Sequence, residues 1–277
     1  VNGLPQGKSP NYLIKEENMI KKTILSTVAA FTFASGMAFS DDIDIVFIGK
    51  NTGNPYFDSL TQGFVEACDV IACNFEFVAP ATAEATSQIP FIEAQIQRGV
   101  DVIAISPNSP DALNQVFDAA RAKDILVLTV NGDITGNEEH RDATILPTDF
   151  TKVGADQVEM VGSLIGYEGE IAILSATTEA PDQNFWIEGM NKTLETDSKY
   201  SKMTLVATVY GDDQPEKSTT EMESLLANFP NLKGVIAPTT VGIAAGAQVV
   251  QSRGISDTVK VTGLGLPSEM RDFIKDG

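Results

Sequence analysis

The sequence is poor in the residues that most enzyme and metal sites require. Among 277 residues it has one histidine and two cysteines, and it lacks the G-x-S-x-G, H-E-x-x-H and G-x-x-x-x-G-K-[ST] motifs. His140 lies in the polar run 136–142, which is typical of a solvated loop. Two cysteines and one distant histidine do not complete a tetrahedral metal site, and no carboxylate pair stands out for glycoside hydrolysis. We therefore expect no catalytic residues, no metal and no cofactor.

Basic residues are also scarce. There are 19 Lys and Arg against 38 Asp and Glu, so the formal net charge is −19. Such a charge repels nucleic acids and anionic membrane surfaces, and both are poor candidates as partners. The apolar fraction of 43% is that of a globular protein, and 277 residues are enough for two domains with proper cores.

A long apolar run is missing too, but a short one lies near the N-terminus. From Met19 the chain reads MIKKTILSTVAAFTFASGMAFS, with two lysines, an apolar stretch over 23–34 and a small-x-small site at 38–40. This pattern predicts a secretory signal peptide over 19–40. A single membrane-spanning helix is the alternative, but the run is short and is broken by Thr, Ser and Gly. Residues 1–18 are interpreted as an upstream extension. No Cys lies at the cleavage site, so we expect a free periplasmic protein without a lipid anchor.

Cys68 and Cys73 lie five residues apart across a predicted helix-to-strand turn. In an oxidising compartment this spacing allows a local disulfide, and two buried thiols are the alternative. The sequence leaves both interpretations open.

After residue 40, apolar strand-like runs alternate with stretches of helical periodicity. The strands are predicted at 43–48, 75–78, 100–105, 125–130, 143–146, 170–174, 204–209, 234–237 and 260–264. The helices are predicted at 55–67, 83–97, 110–122, 150–165, 183–194, 215–227, 241–252 and 267–274. This alternation indicates βαβ units with parallel sheets, and runs that are apolar throughout are typical of strands covered on both faces.

The pattern starts afresh near 146–149, which predicts two doubly wound α/β domains over 41–147 and 148–277. Pockets favour domain interfaces and the carboxyl ends of parallel strands, so we expect a ligand site in the cleft between the domains. The chain stops after a helix where another strand is expected, which suggests a truncated C-terminus.

Polar and aromatic side chains gather at the predicted strand ends. Amides, carboxylates and a lysine supply donors and acceptors for hydroxyl groups, and aromatic rings offer apolar faces to sugar C–H groups. The segment Asp182-Gln183-Asn184-Phe185-Trp186, at the start of a helix, carries the densest such cluster. The candidate ligand-binding residues are Lys50, Asn54, Tyr56, Phe57, Asn131, Asp133, Asp182, Gln183, Trp186, Tyr210, Pro238, Thr240 and Gly265.

Each candidate also has a structural interpretation. Asp133, Asp212 and Asp213 fit turns, and for the last two the turn interpretation is preferred. Asn54 fits a helix cap, and Trp186 fits a core position. Lys50 follows an apolar strand directly, which is unusual for a surface lysine.

The motifs KNTGNPYFD, SPNSPDAL, ILSATTEAPDQNFW, LVATVYGDD, NLKGVIAPTTVGIAAGAQ and VTGLGLP together resemble a known family. Over 42–277 the chain resembles type I periplasmic solute-binding proteins of sugar ABC transporters. It is most similar to the branch of rhamnose-binding and autoinducer-2-binding proteins.

The resemblance implies that Lys50, the Asp182-Gln183 pair, Pro238 and Thr240 hold the ligand. The acidic position after the fourth strand carries Asn131 here, with Asp133 two residues on. Asn131 and Thr240 depart from the autoinducer-binding pattern, and Gly265 stands where ribose-binding members have Asp. A deoxyhexose similar to rhamnose is therefore the implied ligand, with autoinducer-2 signalling as the alternative and a secreted sugar-active enzyme less favoured.

The resemblance also implies a mechanism. The two domains of a monomer would close about hinge strands on a monosaccharide, and the closed form would dock on a membrane permease driven by an ATPase. Family members have three crossing strands, and the later crossings are missing from this sequence.

Overall fold

The computed structural model describes residues 42–276, which form nine strands and eight α-helices. The first half contains β1 Ile43–Ile48, α1 Tyr56–Ile71, β2 Cys73–Val78, α2 Ile89–Arg98, β3 Val102–Ile105, α3 Asn114–Arg121, β4 Leu126–Val130 and β5 Ala143–Ile145. The second half contains α4 Phe150–Ile165, β6 Glu168–Ser175, α5 Pro181–Thr196, β7 Lys202–Tyr210, α6 Pro215–Asn228, β8 Leu232–Ala237, α7 Thr240–Arg253, β9 Lys260–Gly263 and α8 Pro267–Asp276.

The strands form two parallel sheets. The order is β2-β1-β3-β4-β5 in the first sheet and β7-β6-β8-β9 in the second. The order in which strands are added reverses between β1 and β3 in the first sheet and between β6 and β8 in the second. In parallel α/β sheets, ligands bind at the carboxyl ends of the strands at such switch points. We call β1–β5 with α1–α3 the first lobe, and β6–β9 with α4–α8 the second lobe. The predicted doubly wound α/β fold is confirmed.

Each lobe has its own core because its central strands are apolar on both faces. All four residues of β3 are buried, and β6 is buried from Ile171 onward. Phe47, Ile103 and Phe117 are fully buried in the first lobe. Complete burial of such a side chain stabilises the fold by about 1.5–3 kcal/mol.

Two helices begin later than their periodicity predicts. Helix α2 begins at Ile89 and not at 83, and α3 begins at Asn114 and not at 110. In both cases a serine hydroxyl binds the backbone just before the helix: the Ser87 hydroxyl donates to Glu84 O at 2.7 Å, and the Ser109 hydroxyl accepts from the backbone of Ala112 at 3.2 Å. Such bonds offer the backbone an alternative to helix hydrogen bonds.

The two cysteines form a disulfide between the last turn of α1 and the start of β2. Their Cα atoms are 4.6 Å apart, within the usual range for a bridge. Ala72, between them, is in the left-handed region with φ 56° and lets the chain reverse. Of the two interpretations of Cys68 and Cys73, the disulfide is therefore the one found.

Two predictions about the chain's organisation remain predictions. The signal peptide and the upstream extension lie outside the described residues. Strand β5 ends at Ile145 and α4 begins at Phe150, so the proposed domain boundary at 147/148 falls in the segment that joins the lobes. Within residues 42–276, no helix is both long enough and apolar enough to cross a membrane.

Candidate functional site

A cavity of about 160 Å³ lies between the carboxyl ends of the strands of the two lobes. Ten of the predicted ligand-binding residues line it: Lys50, Asn54, Tyr56, Phe57, Asn131, Asp182, Gln183, Trp186, Pro238 and Thr240. Five further residues complete the lining: Pro147, Thr148, Asp213, Thr239 and Leu264. The structure thus brings loops that are far apart in sequence to one site, as the topology predicts.

A buried ion pair in the lining of the cavity joins the lobes. Lys50 follows β1 in the first lobe, and its ammonium group binds the Asp182 carboxylate of the second. Their side chains are 3% and 0% exposed. Lys50 Nζ also donates to Gln183 Oε1 at 3.2 Å. A buried charge is costly unless it is paired and hydrogen-bonded, so each lobe supplies the counter-ion that stabilises the buried charge of the other.

Tyr56 and Asn131 extend this network from the first lobe. The Tyr56 hydroxyl donates to Asn131 Oδ1 at 2.7 Å, and Asn131 Nδ2 donates to Asp182 Oδ2 at 3.3 Å. Burial, and then the nearby Asp182 carboxylate, raise the pKa of Tyr56 to about 12. The phenol is therefore a neutral donor at any physiological pH. Asn131 has φ 70°, a left-handed conformation that Asn adopts more readily than most residues.

The local sequence of α5 explains where the second lobe places its polar groups. Pro181 is in the first turn of the helix, where its missing N–H costs least, and Asp182 lies at the positive end of the helix dipole. Trp186 follows one turn later on the same face, is 4% exposed, and packs edge-on against Phe150 with ring centroids 5.0 Å apart.

A glycine lets α4 approach α5 closely enough to bring Phe150 to Trp186. A Cβ at Gly154 would lie 2.6 Å from the backbone oxygen of Trp186 and 2.8 Å from the backbone nitrogen of Met190. Any larger residue at 154 would push the helices apart and shift the wall of the cavity.

The loops after β7 and β8 supply a second polar cluster. The Thr239 hydroxyl donates to the Asp213 carboxylate, and the Thr240 hydroxyl donates to Asn54 Oδ1 across the cleft at 2.9 Å. Gln183 Nε2 donates to Pro238 O at 3.3 Å, which orients its oxygen toward Lys50. Asp213 is 5% exposed, and burial raises the pKa of its carboxyl group.

Three predicted ligand-binding residues lie outside the lining. Asp133 is bound by Arg141 through two contacts of 2.6 Å and by Thr129 at 2.7 Å. Although burial acts in the opposite direction, these hydrogen bonds lower the pKa of Asp133.

Tyr210 ends β7 without reaching the cavity, and Gly265 faces the core, where an added Cβ would lie 2.5 Å from Met270. Ligand contact by Asp133, Tyr210 and Gly265 stays a prediction, and the geometry of this cavity does not support it.

Asp213 is the lining residue that sequence reasoning misplaced. The turn interpretation is right for its backbone, which has φ 52°, but its carboxyl group is buried at the cavity. The neighbouring Asp212 has the same backbone conformation, yet its side chain is 41% exposed and binds Lys217. The sequence signal available for Asp213 was its position in the turn after β7, but Asp212 shares that position. Among the described residues, no group of three or more His, Cys, Asp or Glu side chains is placed to hold a metal ion.

Comparison with known proteins agrees with this architecture. Residues 45–277 match the periplasmic binding protein domain. A solute-binding protein of an ABC transporter from Clostridium phytofermentas, solved with bound L-rhamnose, is 38% identical, with a TM-score of 0.80 over 83% of this chain and 71% of that one. LsrB from Clostridium saccharobutylicum, in complex with AI-2, is 22% identical with a TM-score of 0.80 over 85% of this chain and 74% of that one, which shows a shared fold.

A curated relative, the xylose/arabinose-binding protein XylF of Sulfolobus acidocaldarius, is 25% identical over 221 residues. The match covers 76% of this chain, which spans about half (53%) of that relative's length. The resemblance inferred from the motifs is confirmed by the match over 45–277 and by the 38% identical structure. This chain belongs to the periplasmic binding protein family.

Proposed function

We propose that the protein is the periplasmic substrate-binding component of a sugar ABC importer. It captures a neutral, rhamnose-like monosaccharide between its lobes by hinge closure and delivers it to a membrane permease driven by an ATPase. The observation that carries the proposal is the buried Lys50–Asp182 pair, which closes a cavity walled by both lobes.

The chemistry of the lining suits a sugar. Lys50, Asn131, Asp182 and Gln183 offer charged and neutral donors and acceptors within one network. Hydrogen bonds to charged groups are about twice as strong as neutral ones, so hydroxyl groups are held in a fixed pose. The Trp186 ring in the same lining supplies an apolar face for C–H groups.

The contacts between the lobes support hinge closure. Lys50 and Asn131 of the first lobe bind Asp182 of the second through side chains alone, and such bonds can be exchanged for bonds to a ligand at little cost. A single segment between Ile145 and Phe150 joins the lobes within the described residues. Closure about a few joining residues is a recognised class of domain motion.

The choice of rhamnose is supported by the L-rhamnose bound to the 38% identical structure from Clostridium phytofermentas. Autoinducer-2 is the second candidate, because Lys50 and the Asp182-Gln183 pair fit the pattern of its receptors. Asn131 and Thr240 depart from that pattern and favour the sugar.

Titration calorimetry with the chain against L-rhamnose, D-arabinose, D-xylose, D-ribose and autoinducer-2 tests the proposal. We expect one neutral sugar to bind at micromolar or lower Kd without turnover. The variant Asp182→Ala should lose at least about tenfold in affinity, since a hydrogen bond to a charged group contributes about 1.5–3 kcal/mol.

Asp212→Asn is the matched control, because Asp212 lies outside the cavity, and it should bind as the parent chain does. Binding of autoinducer-2 alone would move the protein to the signalling alternative. Product formation from a glycoside would replace the proposal with an enzyme. Unchanged affinity in Asp182→Ala would show that the site lies elsewhere.

A further inference from the structure

Asp213 is a buried acidic residue in the cavity lining, and the proposed sugar binding assigns no role to it. It is 5% exposed, and its carboxylate accepts a hydrogen bond from the Thr239 hydroxyl. Asn54 of the first lobe lines the same cavity as this carboxyl group. The carboxyl group is therefore buried where the two lobes meet, with Thr239 as its hydrogen-bond donor.

The backbone around Asp213 is fixed in a strained turn. Gly211 N donates to Ser175 O at 2.9 Å and Asp212 N donates to Ala176 O at 2.8 Å, which ties the turn to the end of β6. Asp212 and Asp213 follow with φ 54° and 52°. Two successive non-glycine residues in the left-handed region are costly and persist only where the surroundings determine them.

This turn touches the first lobe through two asparagines of the loop after β1. Asn51 Nδ2 donates to the backbone oxygen of Asp213 at 3.2 Å, and Asn54 Oδ1 accepts from the Thr240 hydroxyl at 2.9 Å. Asn51 is 3% exposed, and its Oδ1 has no hydrogen-bond partner among residues 42–276. We name the set Asn51, Asn54, Asp213, Thr239 and Thr240 the lobe latch.

We propose that Asp213 is a positioning residue that sets the balance between closed and open lobes, acting through the lobe latch and not through the ligand. The proposal rests on the hinge closure proposed above. In this role, Asp213 makes the equilibrium between closed and open lobes depend on whether its carboxyl group carries a proton.

The direction of this dependence follows from the burial of Asp213. Burial raises the pKa of the Asp213 carboxyl group in the closed arrangement, and Asp182 at the start of α5 adds to the rise. The hydrogen bond from Thr239, the charge of Lys50 after β1 and the nearby Asn54 amide oppose it. Opening lets water reach the group, so its pKa returns toward 3.8. The closed form thus holds the proton more tightly.

It follows that closure is favoured at acid pH and weakens as pH rises through the raised pKa. Each unit by which the pKa differs between closed and open lobes changes the closing equilibrium about tenfold. Protonated Asp213 thus favours retention of the ligand, and ionised Asp213 favours release.

Small-angle X-ray scattering of the ligand-free chain between about pH 4 and pH 8 tests the proposal, because this range begins near the ordinary pKa of an aspartate and extends in the direction of the shift. We expect the radius of gyration to increase with pH in the parent chain. Asp213→Asn keeps the shape of the side chain, tolerates a left-handed backbone and cannot titrate, so it should stay compact across the range. Asp212→Asn, with the same backbone conformation next to it, should keep the parent profile.

Thr239→Val provides a second, graded variant. It removes the hydroxyl group that stabilises the carboxylate, so the midpoint of the profile should move to higher pH while the profile itself remains. A profile that is the same in Asp213→Asn, or one that Thr239→Val leaves unmoved, overturns the proposal. If Asp213→Asn fails to fold by circular dichroism, the Thr239→Val midpoint decides alone.

L-Rhamnose calorimetry over the same pH range separates this proposal from the proposed function. If the scattering profile depends on Asp213 but none of the tested sugars binds, the lobe latch stands and the sugar assignment fails. If a sugar binds and the Asp213→Asn profile matches the parent, the assignment stands and the lobe latch fails.

Discussion

Two clusters in this molecule are built from the same kinds of residue. In the cleft, Lys50 pairs with Asp182, and the Tyr56 hydroxyl joins the network through Asn131. On the surface of the second lobe, Lys199 pairs with Glu159. The Tyr167 and Tyr200 hydroxyls donate to the same carboxylate, at 2.9 and 2.6 Å.

The two clusters differ in burial and in what they connect. The Lys50 and Asp182 side chains are 3% and 0% exposed and come from different lobes. The Lys199 and Glu159 side chains are 43% and 44% exposed and both belong to the second lobe. Solvent screens the exposed pair, so it adds little to stability, whereas a buried pair becomes costly when either partner is lost. The same chemistry therefore supports local structure in one place and joins the two lobes in the other, where we propose that it responds to a ligand.

The largest effect is expected from breaking the buried pair at its cation. Lys50→Met leaves Asp182 buried without its counter-ion, and loss of one partner of a buried pair costs about 3–5 kcal/mol. We expect closure and sugar affinity to fall together, measured by scattering and by calorimetry.

The double variant Lys50→Met/Asp182→Leu separates the two causes. It removes both charges and replaces them with apolar groups, which is often neutral for stability. Thermal stability should then recover while sugar binding stays lost. Recovery of binding as well would show that the pair holds the lobes but does not hold the ligand.

A smaller effect is expected from the tyrosine of the cleft. Tyr56→Phe removes the hydroxyl donor to Asn131 but keeps the ring, and a net hydrogen bond contributes about 0.5–1.5 kcal/mol, or roughly two- to twelvefold in affinity. The variant should also lose one phenol that titrates near pH 12 in a spectrophotometric titration. If Tyr56→Phe lost as much sugar affinity as Lys50→Met, the expectation that the ion pair contributes more than the hydroxyl group in this site would be wrong.

The difference between the clusters also shows what sequence could reveal. Lys50 stands out because only Gly49 separates it from an apolar strand, and Asp182 because it lies in the first turn of a helix after another strand. Strand ends of parallel sheets converge, so ten of the cavity's residues could be predicted from strand-end position, residue type and the family resemblance together. The alternating pattern likewise predicts the two sheets, although the Ser87 and Ser109 hydroxyls delay the start of α2 and α3 through local bonds to the backbone that periodicity does not reveal.

The burial of the Asp213 carboxylate could not be predicted from the sequence. In sequence Asp213 is equivalent to Asp212, since both follow β7 and both sit in the same turn. Which carboxylate is buried depends on how the turn is tied to Ser175 and Ala176 at the end of β6. That pairing is a property of the folded sheet, so periodicity and residue type do not reveal it.

The smallest effect is expected from the exposed cluster. Hydrogen bonds from Lys199, Tyr200 and Tyr167 lower the pKa of Glu159 from 4.5 to about 2. A lowered pKa in the folded state means that the carboxylate stabilises the fold above about pH 4.5 and that this contribution is lost as pH falls toward 2. Glu159→Gln should therefore lower the unfolding midpoint slightly at pH 7 and leave it nearly unchanged near pH 2, measured by thermal unfolding at both values.

Sugar binding provides the contrast in the same variant. Glu159 lies on the surface of α4, outside the lining of the cavity, so Glu159→Gln should bind sugar with the parent's affinity. The surface Lys and Tyr partners stay in place and only the charge is removed. A change in affinity there would mean that the second lobe transmits surface charge to the cleft, and the separation between a structural and a functional ion pair would not hold.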